Sequence, residues 1–173
     1  KKESSRNTAV FFKDKRVYVA MLCQFCFAAS MNGIGVWIIK YAKELFADAS
    51  SLKCSVLLTA YWYGVGIERI SLGVIPKLKK IPAEKVVCVG GMIGGACFVV
   101  GILISSYASI LISVFLCGII SGAILPKLIG MVSSWYPESS GLASSSQFFA
   151  LYGAYAFAPF IMGVVAEKAG MLA

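Results

Sequence analysis

ERISLGVIPKLKKIPAEK, residues 68–85, is where one long apolar segment stops, charge collects and a second apolar segment begins. Gly73 is expected to open a turn that Pro76 and Pro82 fix at either end. Lys77, Lys79, Lys80 and Lys85 place four cations within nine residues, with only Glu84 against them. A short basic turn between apolar runs belongs on the cytoplasmic side of a bilayer, by the inward bias of Lys and Arg in short loops. A solvated lysine turn on a soluble helical protein is the alternative, and the flanking runs argue against it.

Those runs carry no charge over residues 17–39, 86–126 and 139–166. About 20 apolar residues suffice to span a bilayer. Overall the chain is 59% hydrophobic and 14% charged, far from the roughly 25% charge of soluble domains. The formal charge of +8 does not point to nucleic acid, because the cations cluster at run ends instead of forming a stripe interleaved with aromatics. Six cysteines lie mostly inside apolar runs, where Cys acts as a small hydrophobe, so no disulfide is expected. Cys23 and Cys26 form a lone CxxC, which without histidine or a second CxxC is a weak zinc or redox signal. No metal or cofactor is expected.

The expected fold is an all-α polytopic bundle of five spans, near residues 17–39, 54–76, 86–104, 110–132 and 141–165. The run 86–126 cannot be one helix: at 1.5 Å per residue it would be about 60 Å long, against about 30 Å of hydrocarbon. Ser105–Ser109, SSYAS, is the expected break. Residues 1–16 read as a cytoplasmic linker and 166–173 as a truncated outer loop. Lys1 at the start, with no signal-peptide cleavage site following it, reads as a beginning within a longer protein. Counted by side, eleven cations fall inside and four outside (Lys40, Lys43, Lys53 and Lys168), with Arg69 in the membrane. The amino terminus is therefore expected in the cytoplasm and the protein in the cell (plasma) membrane. Trp37 and Tyr41 mark the outer interface. Gly90 with Gly94, Gly91 with Gly95 and Gly118 with Gly122 are small-xxx-small pairs for close helix approach. Pro159 should kink the last helix, tolerated where a neighbour satisfies the freed carbonyl.

WYPESSGLA, residues 135–143, followed by Gly153, Pro159 and Gly163, resembles the cytoplasmic loop and next helix of major facilitator superfamily transporters, roughly YPExxRGxA, Gly and PxxxG. Ser140 stands in place of the usual Arg. Arg69, Gly73 and the basic turn resemble that superfamily's motif A, roughly GxxxDRxGRR, with Lys77 in place of the Asp. The first helix, ending NGIGVWIIKY, looks like the seventh helix of the fucose permease and sugar-porter-like group. The resemblance covers residues 10–168 and implies helices seven to eleven of twelve, in a carboxyl-terminal half built from inverted repeats, with substrate bound between two halves near the midplane. The implied partners are the lipid bilayer, the amino-terminal half of the same protein, a small-molecule substrate and protons. The chain alone is not expected to transport.

Arg69 matches the position whose role in that family is structural, near the cytoplasmic gate, with Gly73, Lys79, Lys80, Pro137, Glu138 and Gly141; direct substrate contact is the alternative. Glu68 is the one carboxylate inside an expected span and hence the proton-coupling candidate, since an apolar surround favours a neutral carboxyl group; permanent pairing with a cation on a neighbouring helix is the alternative. A charge at midplane costs at least about 2.5–3.5 kcal/mol. Asn32, Gln24, Tyr152 and Tyr155 are candidates for binding a sugar-like solute through hydrogen bonds and ring stacking. Ser144, Phe148 and Gln147 accompany them, and packing is the competing role for each. Lys127 is expected to snorkel to the interface. Enzyme chemistry finds no support: there is no histidine, no GxxxxGK[ST] and no GxGxxG. The expected function is secondary active transport of a small polar solute, proton-coupled symport by alternating access; a non-transporting membrane scaffold or assembly subunit is the alternative.

Overall fold

The computed structural model describes residues 10–46 and 49–169. These residues form helices and no strands: α1 (Lys15–Leu45), α2 (Ser51–Val74), the short α3 (Pro76–Lys79), α4 (Ala83–Ile104), α5 (Tyr107–Ser121), α6 (Ile124–Trp135), a 3-10 turn (Pro137–Ser139) and α7 (Ser140–Ala169). Four helical segments are long and apolar enough to cross a membrane: Lys15–Leu45, Ala83–Ile104, Tyr107–Trp135 and Pro137–Lys168. Helix α2 has the length, about 36 Å for its 24 residues, but Glu68, Arg69 and three aromatics at 61–63 dilute its apolar character.

Several boundaries differ from the sequence expectation. Helix α1 runs past residue 39 to Leu45, because Lys40, Ala42, Lys43 and Glu44 are good helix formers and Ala42 is buried. Gly73 opens no turn; α2 continues through Val74 and breaks at Ile75, which takes an extended backbone (φ −95°, ψ 105°) before Pro76. A proline disfavours the helical conformation of the residue before it. The expected helix 110–132 is split at Gly122–Ala123, since Pro126 has no N–H for the carbonyl four residues back and its ring crowds that carbonyl. Residues 166–169 continue α7 instead of forming a loop, and 170–173 lie outside the described residues.

The turn at SSYAS forms as expected. Ser105 closes α4 in a left-handed conformation (φ 54°, ψ 24°), and its hydroxyl donates to the Ile102 carbonyl at 2.9 Å. The Tyr107 hydroxyl then donates to the Lys53 carbonyl at 2.8 Å, fastening the starts of α2 and α5 to each other.

Packing runs through three main pairs, α2 with α5, α1 with α7 and α4 with α5. The largest core joins Met31, Ile34 and Ile38 of α1 to Leu57, Tyr61 and Val65 of α2 and to Ile110 and Val114 of α5. Only Gly94 and Gly101 of α4 are buried. Met92 and Leu103 of α4 and Phe149 and Phe160 of α7 are each more than 70% exposed, an outward apolar surface suited to lipid.

Residues 10–16, expected as part of a linker, are folded onto the bundle. Phe11 is fully buried with Val17, Ala20, Val132 and Ala143, and its ring meets Tyr136 edge-on at 5.0 Å. The part of that linker at residues 1–9 lies outside the described residues.

Candidate functional site

Pro159 lies inside α7 and has no N–H to give the Tyr155 carbonyl four residues earlier. The Asn32 side-chain Nδ2 of α1 donates to that same carbonyl, at 3.3 Å. Asn32 therefore replaces the bond that proline removed, which gives it a packing role across the α1–α7 pair. The pairing yields a test. Asn32→Leu should destabilise the bundle by about 1–2 kcal/mol, because a part-buried carbonyl is left without a donor. Pro159→Ala should recover most of that loss in the Asn32→Leu background while doing little alone. Thermal unfolding in detergent of the two single variants and the double variant measures the coupling; additive effects would refute the assignment.

Gln24 and Gln147 are fully buried. They lie on the same α1–α7 interface, bracketed by the contacts of Ala20 with Ala143 and of Ala28 with Leu151. Neither amide has a hydrogen-bond partner among the described residues. Gln24 is thus in the protein interior, not on an open surface. The tyrosines are placed differently. Phe148 stacks on Tyr152 (6.3 Å, 23°) and Tyr152 meets Tyr155 edge-on (6.4 Å), so the three rings form a ladder along one face of α7. Tyr152 is 64% exposed, and Ser144 begins the same face one turn earlier, partly buried.

Glu68 and Arg69 diverge as adjacent helical residues must. Glu68 is half-buried, its stem against α5 where a Cβ on Gly122 would come within 2.9 Å of the Glu68 Cβ. Arg69 is exposed and lines a hollow of about 350 Å³ with Leu72, Leu125, Pro126 and Ile129. Neither forms an ion pair or hydrogen bond among the described residues. Leu125 and Tyr155 both pack on the cluster of Ala28, Leu151 and Ala154, so Arg69 and the α7 ladder share one side of the bundle. That side carries Arg69, Tyr155, Tyr152 and Phe148, with Glu68 one helical step behind.

No family model, curated protein or solved structure matches this chain. Its function has to be argued from these residues.

Just past the carboxyl end of α2, the basic turn is held by Lys127, expected from the sequence to snorkel to the interface. Lys127 Nζ donates to the carbonyls of Leu78 (3.1 Å), Lys79 (2.9 Å) and Ile81 (2.7 Å). These carbonyls lie at and just past the end of α3, where a cation suits the helix dipole; that of Leu78 also accepts the Ile81 N–H at 3.3 Å. Lys79 and Lys80 point their own charges outward and are exposed. Lys127→Met keeps the stem and removes the three bonds. It is expected to loosen the turn enough to speed tryptic cleavage after Lys79 or Lys80 about tenfold, the effect of losing one charged hydrogen bond. Unchanged cleavage would show that the turn holds itself.

The WYPES segment does related work. Pro137 and Glu138 lie in the 3-10 turn that leads into α7, and Gly141 is exposed with open space where a Cβ would sit. The Tyr136 hydroxyl donates to Asp14 Oδ2. Asp14 also caps α1 by accepting from the Arg16 backbone N–H at 2.9 Å and pairs with the Arg16 guanidinium at 2.8 Å. Arg16 in turn sits over the Trp135 ring at 5.2 Å. Together the Arg16 side chain and the Tyr136 hydroxyl hold the Asp14 carboxyl well below the usual carboxylate range. Asp14 and Tyr136 are 122 residues apart in the chain, so this contact is set by the packing of the bundle.

One cavity is large. A cleft of about 830 Å³ opens between α1, α4 and the end of α7, floored by Tyr61, Cys117 and Ser121. None of the candidates for solute binding or proton coupling lines it, whereas Cys23 and Cys26 of the CxxC do.

Proposed function

We propose that this chain is part of a secondary active transporter of the major facilitator type, supplying most of one half of the two-half fold and moving a small polar solute by proton-coupled alternating access. The observation that carries the reading is the side of the bundle where Arg69 and the Phe148–Tyr152–Tyr155 ladder sit together, beside a Glu68 with no ion-pair partner among the described residues. A charged group on a membrane helix is costly unless it faces protein or water. Such a face is suited to a second half across an aqueous path, where tyrosines would stack on and hydrogen-bond a neutral, sugar-like solute.

The resemblance of residues 135–143 and of the basic turn supports the same reading, and the local structure is compatible with it. Both segments fasten one end of the bundle, through Tyr136 with Asp14 and Lys127 with the 78–81 carbonyls. In that reading Lys127 does with backbone carbonyls what an acidic latch does in motif A. The cation bias puts this end in the cytoplasm and the protein in the cell membrane, with α2 as the fifth span.

Two measurements test the proposal. In a background without the native cysteines, Ser106→Cys should react with an impermeant thiol reagent from outside and Lys79→Cys only from inside; the reverse pattern would overturn the orientation. The full-length protein in proteoliposomes with an imposed proton gradient should accumulate neutral sugars saturably. Uptake of organic anions but not sugars would reject the substrate class, and no solute-dependent proton flux with any class would favour the scaffold reading.

A further inference from the structure

The basic turn between α2 and α4 presents charge that the described protein does not neutralise. Lys77, Lys79, Lys80 and Lys85 are all exposed, and their ammonium groups form no hydrogen bond or ion pair among the described residues. Glu84, the one acid in the stretch 75–85, is exposed and pairs with none of them. Val74, Ile75 and Ile81 are exposed beside the lysines. Lysines interleaved with uncovered aliphatic groups suit a membrane interface, where apolar groups and lysine stems lie against lipid and the ammonium groups reach outward.

The structure also fixes how these cations are displayed. Pro76 opens α3 and Pro82 precedes α4, while Lys127 ties down the carbonyls of Leu78, Lys79 and Ile81 between them. Lys127 spends its charge on the backbone, and the other lysines do not. At about 100° per residue, Lys77, Lys79 and Lys80 fall within an arc of about 160° on α3, opposite Leu78. Leu78 is the one residue of the stretch 73–82 that is partly buried, so the lysine arc faces away from the bundle. Depth follows from α4, which is apolar enough to cross a membrane. Its 22 residues span about 33 Å, close to the roughly 30 Å of hydrocarbon. A membrane-spanning α4 therefore holds the turn at the level of the lipid headgroups.

Charge complementarity selects the partner at that depth. Over residues 75–85 four lysines stand against one glutamate, whereas the α1–α2 connection at the other end of the bundle, residues 40–53, sets three lysines against two acids. The anion present in quantity at headgroup level is the lipid phosphodiester. Lysine ammonium groups meet it as point charges, without the fixed geometry a guanidinium demands, which suits a headgroup that exchanges and reorients. We propose that the face formed by Lys77, Lys79, Lys80 and Lys85 is a binding surface for anionic glycerophospholipids, whose phosphate oxygens accept from these lysines. The proposal requires that α4 cross a membrane; it does not depend on the transport reading or on which leaflet the turn occupies.

The test uses the full chain in nanodiscs of phosphatidylcholine, alone or mixed with phosphatidylglycerol. A neutral amine-acetylating reagent is applied, and modified lysines are mapped by mass spectrometry. Phosphatidylglycerol should slow acetylation of the four turn lysines by about fivefold more than that of Lys43 and Lys53 at the other end, the effect of one lysine held at an anionic headgroup. Native mass spectrometry should show the preference for phosphatidylglycerol over phosphatidylcholine falling by about fivefold for each of Lys77→Gln, Lys79→Gln and Lys80→Gln combined in turn. Lys43→Gln and Lys53→Gln should leave it unchanged. The substituted side chains are exposed, and circular dichroism establishes that each variant keeps its helices. Equal protection at both ends would reduce the effect to general surface charge. Inorganic phosphate protecting the turn as well as phosphatidylglycerol does would make the ligand a free anion. Slow acetylation already in phosphatidylcholine would show the lysines covered by protein. Any of these three results, or an undiminished preference in the triple variant, would overturn the proposal.

Discussion

Gly118→Leu is expected to abolish the folded bundle. A Cβ at Gly118 would overlap the Tyr61 carbonyl oxygen and stand 3.2 Å from the Val65 backbone nitrogen; from the other side, one at Gly64 would overlap the Phe115 carbonyl oxygen and stand 2.9 Å from the Ile119 nitrogen. Here two backbones touch, and backbone atoms cannot rotate away as a side chain can. Helices in lipid gain their association from this kind of close packing. Overpacking a well-packed site costs about 1–3 kcal/mol even where side chains can adjust, against a total stability of roughly 5–15 kcal/mol. A leucine that must drive α2 from α5 should therefore exceed what the bundle tolerates. Cys54 and Cys117 are buried in this region, so their reactivity towards a thiol reagent in mild detergent reports the loss directly. Gly91→Leu and Gly95→Leu on α4 meet nothing within 4 Å and should leave thiol protection unchanged. Equal damage from Gly118→Leu and Gly91→Leu would show that the α2–α5 contact is not what holds the bundle.

Glu68→Gln is expected to abolish proton-driven accumulation by the full-length protein while preserving exchange of internal for external solute. Glutamine keeps the shape and removes the titrating proton. In the transport reading Glu68 is the one carboxylate placed to couple: it is half-buried, it lies against Gly122 of α5, and no cation pairs with it among the described residues. A carboxylate already locked to a lysine or arginine would be poorly placed to exchange its proton on each cycle. Loss of accumulation of at least about a hundredfold, the low end of what positioned proton transfer contributes, should come with intact counterflow. Loss of both activities would assign Glu68 to folding or binding, and retention of both would move coupling elsewhere. Arg69→Gln separates the neighbours, since it should weaken solute affinity or gating without removing proton dependence.

The helical register explains why some expectations transferred to the folded chain and others did not. Gly118 and Gly122 were legible as a close-packing pair, and they do meet α2; Gly91 and Gly95 have the same spacing and face open space. Spacing identifies a face that permits close approach, whereas the presence of a neighbour depends on how the other helices are arranged. Gly64 and Gly101 have no glycine four residues away, yet a Cβ at either would strike α5. The same distinction separates the polar candidates. Helical period alone puts Tyr152 and Tyr155 on one α7 face, but Asn32 is matched to a carbonyl and Gln24 is fully enclosed, outcomes set by α7 lying alongside α1.

By itself the sequence determined the helical class, the apolar segments long enough to cross a membrane, the turn at residues 105–109 and the concentration of positive charge at one end. These follow from hydropathy, helix rise and turn chemistry, which act within a few residues of one another. Tertiary structure decided which orphan group met which donor. Asn32 reaches the Tyr155 carbonyl across 123 residues, Lys127 reaches residues 78–81, and Tyr136 reaches Asp14. It also decided that α1 and α4 stand apart with a cleft between them. Local preferences specify where a helix begins and ends and which groups it leaves unsatisfied; satisfying them takes a neighbour whose position depends on the packing of the whole bundle.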